Sequence, residues 1–507
     1  MKLAEKKQRN ELKIGSILTY INLLISTIIP LLYTPVMLRI LGQSEYGLYS
    51  LSNSVIGYLS LLNFGLGGAT VRYITKCRVE GDKDKVRSIT GLFILIFTVL
   101  AAIVCITGFL LTNGTGLFFG AGLTGSEIER MKVLMVIMTI STAISFPISV
   151  LSSVVVSYEK YIFRKMLDGI STIMLPILNL IILYAGYASI GMAFVGLVIQ
   201  LIYGVIFYCY CKKSLGITPK YKNMPTELLK EIIGFSAFVF LSTIVDMLYW
   251  ATDKVLIGAM VGTVAVAIYN IGGTFTGMLQ NMSLAISNVF GTRVNTMVFN
   301  NSDTKQLSEL LIRIGRLQYF VVSFILSGYI TFGKVFIHFW AGDSYALAYY
   351  IGLLTMIPLA VPLIQNIAYS VVVAQNKHQF RAIIYAFIAV LNVAGTIWAI
   401  PQYGIIGAAV CTAVAFLIGN GLIMNIYYYR VTGLDILGFW KNIVKISVVP
   451  VVLVVSGSMI INYIITIKNF MQFGIGVVVY TILFFVFSWL LSMNQYEKNL
   501  LIDIIKK

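Results

Sequence analysis

Apolar residues run along this chain in blocks of about twenty, separated by short polar segments, with none of the strict alternation a half-buried strand would show. A helix rises about 1.5 Å per residue, so a block of that length crosses a hydrocarbon layer roughly 30 Å thick. Within such a layer a helix satisfies its own backbone hydrogen bonds. Fourteen blocks are read, at 14–38, 46–74, 89–112, 131–157, 166–184, 190–210, 232–257, 265–292, 314–338, 346–374, 382–400, 404–428, 442–466 and 471–493. The pattern predicts an all-α polytopic membrane protein with about fourteen transmembrane helices. The first block is too long for the apolar core of a signal peptide and lacks a small-residue cleavage site.

The blocks are duplicated. Ser153-Val154-Val155-Val156-Ser157-Tyr158-Glu159-Lys160-Tyr161-Ile162-Phe163-Arg164 recurs as Ser370-Val371-Val372-Val373-Ala374-Gln375-Asn376-Lys377-His378-Gln379-Phe380-Arg381, seven of twelve positions identical at a shift of 217 residues. Gly42, Tyr49, Gly57 and Leu59 recur as Gly262, Tyr269, Gly277 and Leu279, in the same order along the chain. Spans 1–6 therefore repeat as 7–12, with a C-terminal helix pair appended. An even number of spans per half makes the repeats parallel. The expected domains are an N-terminal six-helix lobe (1–215), a cytoplasmic linker (216–231), a C-terminal six-helix lobe (232–430), and helices 13 and 14 with a cytoplasmic tail (431–507).

Composition agrees: 58% of the 507 residues are hydrophobic and 11% charged, too little polar surface for a soluble chain of this length. Charge sets the orientation. With the N-terminus cytoplasmic, 31 of the 37 Lys and Arg residues fall in inner segments, as the positive-inside rule requires. Only Arg39, Arg130, Lys132, Lys254, Lys334 and Lys468 fall elsewhere. Both termini are then cytoplasmic, and the net charge of +17 reflects topology and anionic headgroups rather than nucleic-acid binding. No loop is long enough for a soluble domain, and no nucleotide-binding glycine pattern is present. The five cysteines lack metal or redox spacing, and the two histidines, His338 and His378, lie near span ends. These features speak against an enzyme and imply no cofactor and no metal.

Ionisable residues inside spans are costly in lipid and are the first site candidates. Asp246, Asp253 and Lys254 share one face of span 7, toward a wet cavity or, for the last two, the outer interface. Arg39 and Glu45 flank Gly42, as substrate contacts or interfacial anchors. Arg72 and Arg293 occupy near-equivalent positions at the inner ends of the second helices of the two halves. Facing each other they would suit a bidentate phosphate contact; otherwise they are ordinary inner anchors. Gln280, Asn281, Gln365 and Asn366 offer amides for sugar hydroxyls or for helix-to-helix bonds. Pro147 in span 4, and Pro358 and Pro362 in its repeat partner span 10, are candidate hinges or static kinks.

Leu41-Gly42-Gln43-Ser44-Glu45-Tyr46-Gly47-Leu48-Tyr49 resembles the opening signature of bacterial Wzx-type polysaccharide flippases. So does Asn63-Phe64-Gly65-Leu66-Gly67, leading to Arg72-Tyr73. Thr252-Asp253-Lys254-Val255-Leu256-Ile257-Gly258 and Tyr403-Gly404-Ile405-Ile406-Gly407-Ala408-Ala409 extend the resemblance over essentially the whole chain. It implies the multidrug/oligosaccharidyl-lipid/polysaccharide exporter fold in a bacterial cytoplasmic (inner) membrane. The implied partners are a polyprenyl-pyrophosphate oligosaccharide, membrane lipids, a coupling ion (H+ or Na+) and other polysaccharide-assembly proteins. The implied function is turning that lipid-linked unit from the cytoplasmic to the outer leaflet by alternating access. A cation-coupled multidrug antiporter shares the fold and would make Asp246 an ion-linked acid.

Overall fold

Each described apolar block folds as helix, and no strand occurs among the described residues. The computed structural model describes residues 2–222, 251–300, 303–375, 377–464 and 467–505, with isolated positions inside 223–250. Most of the seventh expected span, including Asp246, lies outside the described residues. The chain divides into two compact units, Met1–Ala267 and Ile268–Lys507.

The first unit holds α1 (Lys2–Gly57), α2 (Leu66–Val79), α3 (Lys83–Asn113), α4 (Thr115–Phe119), α5 (Gly125–Ser157), α6 (Tyr161–Tyr184), α7 (Ala188–Tyr210), α8 (Thr252–Met260) and the first residues of α9 (Thr263–Phe299). A straight helix of 56 residues would be about 84 Å long, more than twice a bilayer's hydrocarbon thickness. Gly42 divides it, at φ 75° and ψ 173°, a conformation open to glycine and costly for residues with a Cβ. Buried apolar side chains such as Phe93 and Phe97 of α3 and Met131, Leu134 and Met135 of α5 fill the unit's interior. Phe97 meets Phe146 edge-on at 6.2 Å between ring centres. At Gly108 a Cβ would stand 2.3 Å from the Thr139 side chain, so α3 and α5 pack too closely for a larger residue there.

The second unit continues with the rest of α9, then α10 (Thr304–Trp340), α11 (Leu347–Ile364), α12 (Asn366–Ala374), α13 (His378–Phe416), α14 (Met424–Val431), α15 (Ile436–Met459), α16 (Phe470–Phe487) and α17 (Gln495–Ile505). Gly404 breaks α13 as Gly42 breaks α1, at φ 59° and ψ −145°. Phe332 of α10, Val449 and Leu453 of α15, and Tyr480 and Phe484 of α16 form one buried cluster. The outward faces stay apolar, as lipid contact requires: Leu437, Val444 and Val448 of α15 are all exposed.

Ten helical stretches among the described residues are long and apolar enough to cross a membrane. Two of them, Ile17–Val79 and Gln379–Val431, run through the breaks at Gly42 and Gly404 and so each contain two expected spans. The seventh span is largely undescribed and the eighth, α9, is not among the ten. The duplicated block keeps its local partner in both units. Phe163 stacks on Tyr210 at 3.7 Å between ring centres, and Phe380 on Tyr427 at 4.5 Å.

Candidate functional site

At the end of the first unit remote from its basic loops, two carboxylates tie the helices together. The Thr124-x-x-Glu127 pattern caps α5 in the reciprocal way expected of a capping box. Glu127 Oε2 accepts from the Thr124 backbone N–H at 2.9 Å and from its hydroxyl at 2.8 Å. Its Oε1 accepts from Ser44 Oγ at 2.6 Å and from Thr263 Oγ1 at 2.7 Å. One side chain thus joins α5 to α1 just past the Gly42 break and to the start of α9. Glu45 makes the parallel connection, accepting from Arg130 Nη1 at 2.8 Å and from Ser189 Oγ at 2.5 Å. The backbones approach closely here: a Cβ at Gly47 would stand 1.8 Å from the Thr263 carbonyl oxygen. Glu45 therefore spends its charge on protein contacts. Arg39 is exposed on the other side of the break.

Further into this unit, the Tyr58 hydroxyl bonds Thr252 Oγ1 at 2.6 Å. The next residue, Asp253, is only 3% exposed in the first turn of α8 and interacts with Lys254 and Tyr58. A buried carboxylate beside a lysine and a tyrosine can exchange a proton or hold a small cation's charge. Arg72 is exposed on α2, its guanidinium 5.9 Å from the Tyr73 ring centre.

In the second unit, Arg293 is exposed on α9, where Gln280 is half-buried and Asn281 exposed. Gln365 is buried at the junction of α11 and α12, and its Nε2 donates to Asn425 Oδ1 at 2.7 Å. Trp440 Nε1 donates to the same oxygen at 2.8 Å. Asn366 Nδ2 donates to Ser287 Oγ at 3.0 Å. These two amides join helices to one another. The candidate hinges differ between the halves. Helix α5 runs unbroken past Pro147 to Ser157, whereas α11 ends at Ile364, two residues after Pro362, and Gln365 leaves the helical conformation at φ −103°, ψ 13°. A mostly apolar cavity of about 350 Å³ lies among α10, α15 and α16, lined by Phe332, Leu453, Gly457, Ile461, Gly476 and Tyr480.

Two features escaped sequence reasoning. The Glu127 junction was signalled only by the capping pattern Thr124-x-x-Glu127. A buried ion pair, Arg316 Nε to Glu497 Oε1 at 2.6 Å, seats α17 against α10. Its signal was Asn494-x-x-Glu497 ahead of Leu500-Leu501, again a helix-start pattern. Among the described residues no group of three or more His, Cys, Asp or Glu side chains could hold a metal ion.

Residues 12–290 match the family described as "Polysaccharide biosynthesis protein". The "Uncharacterized membrane protein EpsK" of Bacillus subtilis (strain 168) is 20% identical over 503 residues, 96% of each chain. The "Putative O-antigen transporter" of Shigella flexneri is 20% identical over 396 residues, covering 77% of this chain and 91% of its own. Among solved structures, the lipid II flippase MurJ in an inward closed conformation aligns over 94% of this chain and 98% of its own. Its TM-score is 0.71 at 16% identity, a likeness of fold.

Proposed function

The chain belongs to the polysaccharide biosynthesis protein family, and from that premise we propose that it is a flippase for polyprenyl-pyrophosphate-linked oligosaccharide repeat units. The observation that carries this reading is the alignment of 77% of this chain with 91% of a protein named as an O-antigen transporter. In the proposed cycle the headgroup enters from the cytoplasmic leaflet, and Arg72 of the first half and Arg293 of the second each offer a guanidinium to the pyrophosphate. Gln280 and Asn281 hydrogen-bond the sugars. The apolar cavity beside Phe332 and Tyr480 suits the polyprenyl tail. The lobes 1–215 and 232–430 then rock about Pro147, Pro358 and Pro362 to deliver the headgroup to the outer leaflet. Asp246 and the Asp253–Lys254 pair take the coupling ion, H+ or Na+.

The test is surface-polysaccharide export in cells depending on this chain, normalised to folded protein in the membrane. Arg72→Gln, Arg293→Gln and Asp246→Asn should each insert normally and lower normalised export at least about tenfold, the loss of one charge-assisted contact of roughly 1.4 kcal/mol or more. Unchanged normalised export in all three would remove these residues from the mechanism.

A further inference from the structure

The two copies of the duplicated block differ in charge. In the first copy the cations have acids: Lys160 pairs with Glu11 at 3.8 Å, and Arg164 Nε donates to Asp168 Oδ1 at 3.0 Å and Oδ2 at 3.2 Å. Glu159 of the same block pairs with Arg78 at 2.7 Å. At the shift of 217 the cations persist as Lys377 and Arg381, while Glu159 becomes Asn376 and Asp168 becomes Tyr385. Among the described residues neither Lys377 nor Arg381 has a carboxylate partner; Lys377 Nζ donates to the Val431 carbonyl oxygen at 2.9 Å. The first copy is neutralised and the second is not.

Arg381 is only partly exposed and sits in a tyrosine cage. Its guanidinium lies 3.7 Å from the Tyr369 ring centre and 4.6 Å from that of Tyr385, with buried Tyr428 close by. Tyr385 bonds Arg381 and donates its hydroxyl proton to Asn420, which fixes the ring. Stacking uses the faces of a guanidinium and leaves its edge N–H groups for acceptors in the plane. One of those groups has none: Arg381 Nε is shielded from solvent and without a hydrogen-bond partner. It is the counterpart of the Arg164 atom that holds the Asp168 carboxylate. A desolvated cation with an unused donor is unfavourable unless an anion completes it.

We propose that the Arg381 cage binds one phosphate oxyanion at the inner end of the second half. The chemistry is that of the phosphodiester of an anionic phospholipid or of free phosphate. It lies on the helix turns that flank the short Gln375–Lys377 connection, on the side where basic residues favour the anionic inner leaflet. Arg381, Tyr369 and Tyr385 are each partly exposed.

The experiment is native mass spectrometry of the full-length, delipidated protein in detergent, titrated with dioleoylphosphatidylglycerol. Dioleoylglycerol, which has the same chains and no phosphate, is the control. Wild type should hold one phosphatidylglycerol at least about tenfold more tightly than the control lipid. Tyr385→Asp supplies the acid found in the first half and should abolish that preference, as should Arg381→Gln if the aspartate variant folds poorly. Displacement of the lipid by millimolar inorganic phosphate would identify free phosphate as a ligand, and resistance to it would identify the headgroup; either supports the site if the variants lose it. Wild-type preference retained in both Tyr385→Asp and Arg381→Gln, or equal binding of dioleoylglycerol, overturns the proposal.

Discussion

Glu497→Gln should release the C-terminal helix from the second unit. Arg316 and Glu497 side chains are only 7% and 2% exposed, and they meet twice, Nε to Oε1 at 2.6 Å and Nη2 to Oε2 at 2.9 Å. Arg316 Nη2 also donates to the Ser492 carbonyl oxygen at 2.9 Å. The glutamine keeps the shape and one acceptor but leaves the guanidinium buried without a counter-charge. Breaking one side of a buried pair costs about 3–5 kcal/mol. The fold has a cheaper escape than global unfolding. Helix α17, eleven residues long, can undock and return Arg316 to water. At about 1.4 kcal/mol per decade, the docked-to-undocked ratio should fall on the order of a hundredfold to a few thousandfold. Hydrogen exchange of the detergent-solubilised protein reads this directly, as loss of protection in 495–505 with α10 and α15 unchanged. The charge-swapped pair Arg316→Glu with Glu497→Arg should recover part of it. Protection of 495–505 equal to wild type in Glu497→Gln would mean that the pair carries no docking energy.

Other outcomes follow from the same structure. Gly47→Ala places a Cβ 1.8 Å from the Thr263 carbonyl oxygen, and the forced separation should cost about 1–3 kcal/mol, seen as a lower melting temperature in detergent. Glu127→Gln loses the charge that draws in the Ser44 and Thr263 hydroxyls at 2.6 and 2.7 Å. It should cost about 1.5–3 kcal/mol, and a thiol at Ser44→Cys should react faster in that background than beside the native glutamate. Tyr58→Phe removes the 2.6 Å bond to Thr252 and should lower stability by only about 0.5–1.5 kcal/mol; a larger loss would mean the hydroxyl serves a second partner. In a cysteine-free background, Gly120→Cys and Lys222→Cys should be labelled by an impermeant thiol reagent from opposite sides of the membrane, and labelling from one side would break the topology.

What could be read from sequence followed the range of the forces involved. Spanning helices are dictated segment by segment, since each must satisfy its own backbone in lipid, so the apolar blocks predicted them locally. The duplication was legible in residues that recur in order, and one of them keeps the same kind of partner in both units. Phe163 and Phe380 keep matching tyrosine stacks on the following helices. Glu45 was picked out as a charge flanking Gly42 and Gln365 as an amide within span 10, but type alone left open what they touch. Arg130 and Ser189 take the first, Asn425 the second. Arg316 looked like one more inner cation, and its acid lies 181 residues downstream. Glu127 meets Ser44 and Thr263 across 83 and 136 residues, and only its local capping bond had a sequence pattern. Pairings at such separations depend on how helices pack, which hydrophobic period does not encode.

Transbilayer movement of a pyrophosphate-linked saccharide can be watched in proteoliposomes of purified protein. A short polyprenyl-pyrophosphate oligosaccharide with a fluorescent sugar is placed in both leaflets, and a membrane-impermeant quencher is added outside. With a flippase present, the inner-leaflet fluorescence should also be quenched as substrate crosses, at least tenfold faster than in empty liposomes, and the Arg72→Gln, Arg293→Gln double variant should slow it toward the empty-liposome rate. Quenching that stops at the outer-leaflet fraction with folded wild-type protein, while an amphipathic organic cation is moved under an imposed ion gradient, would contradict the account.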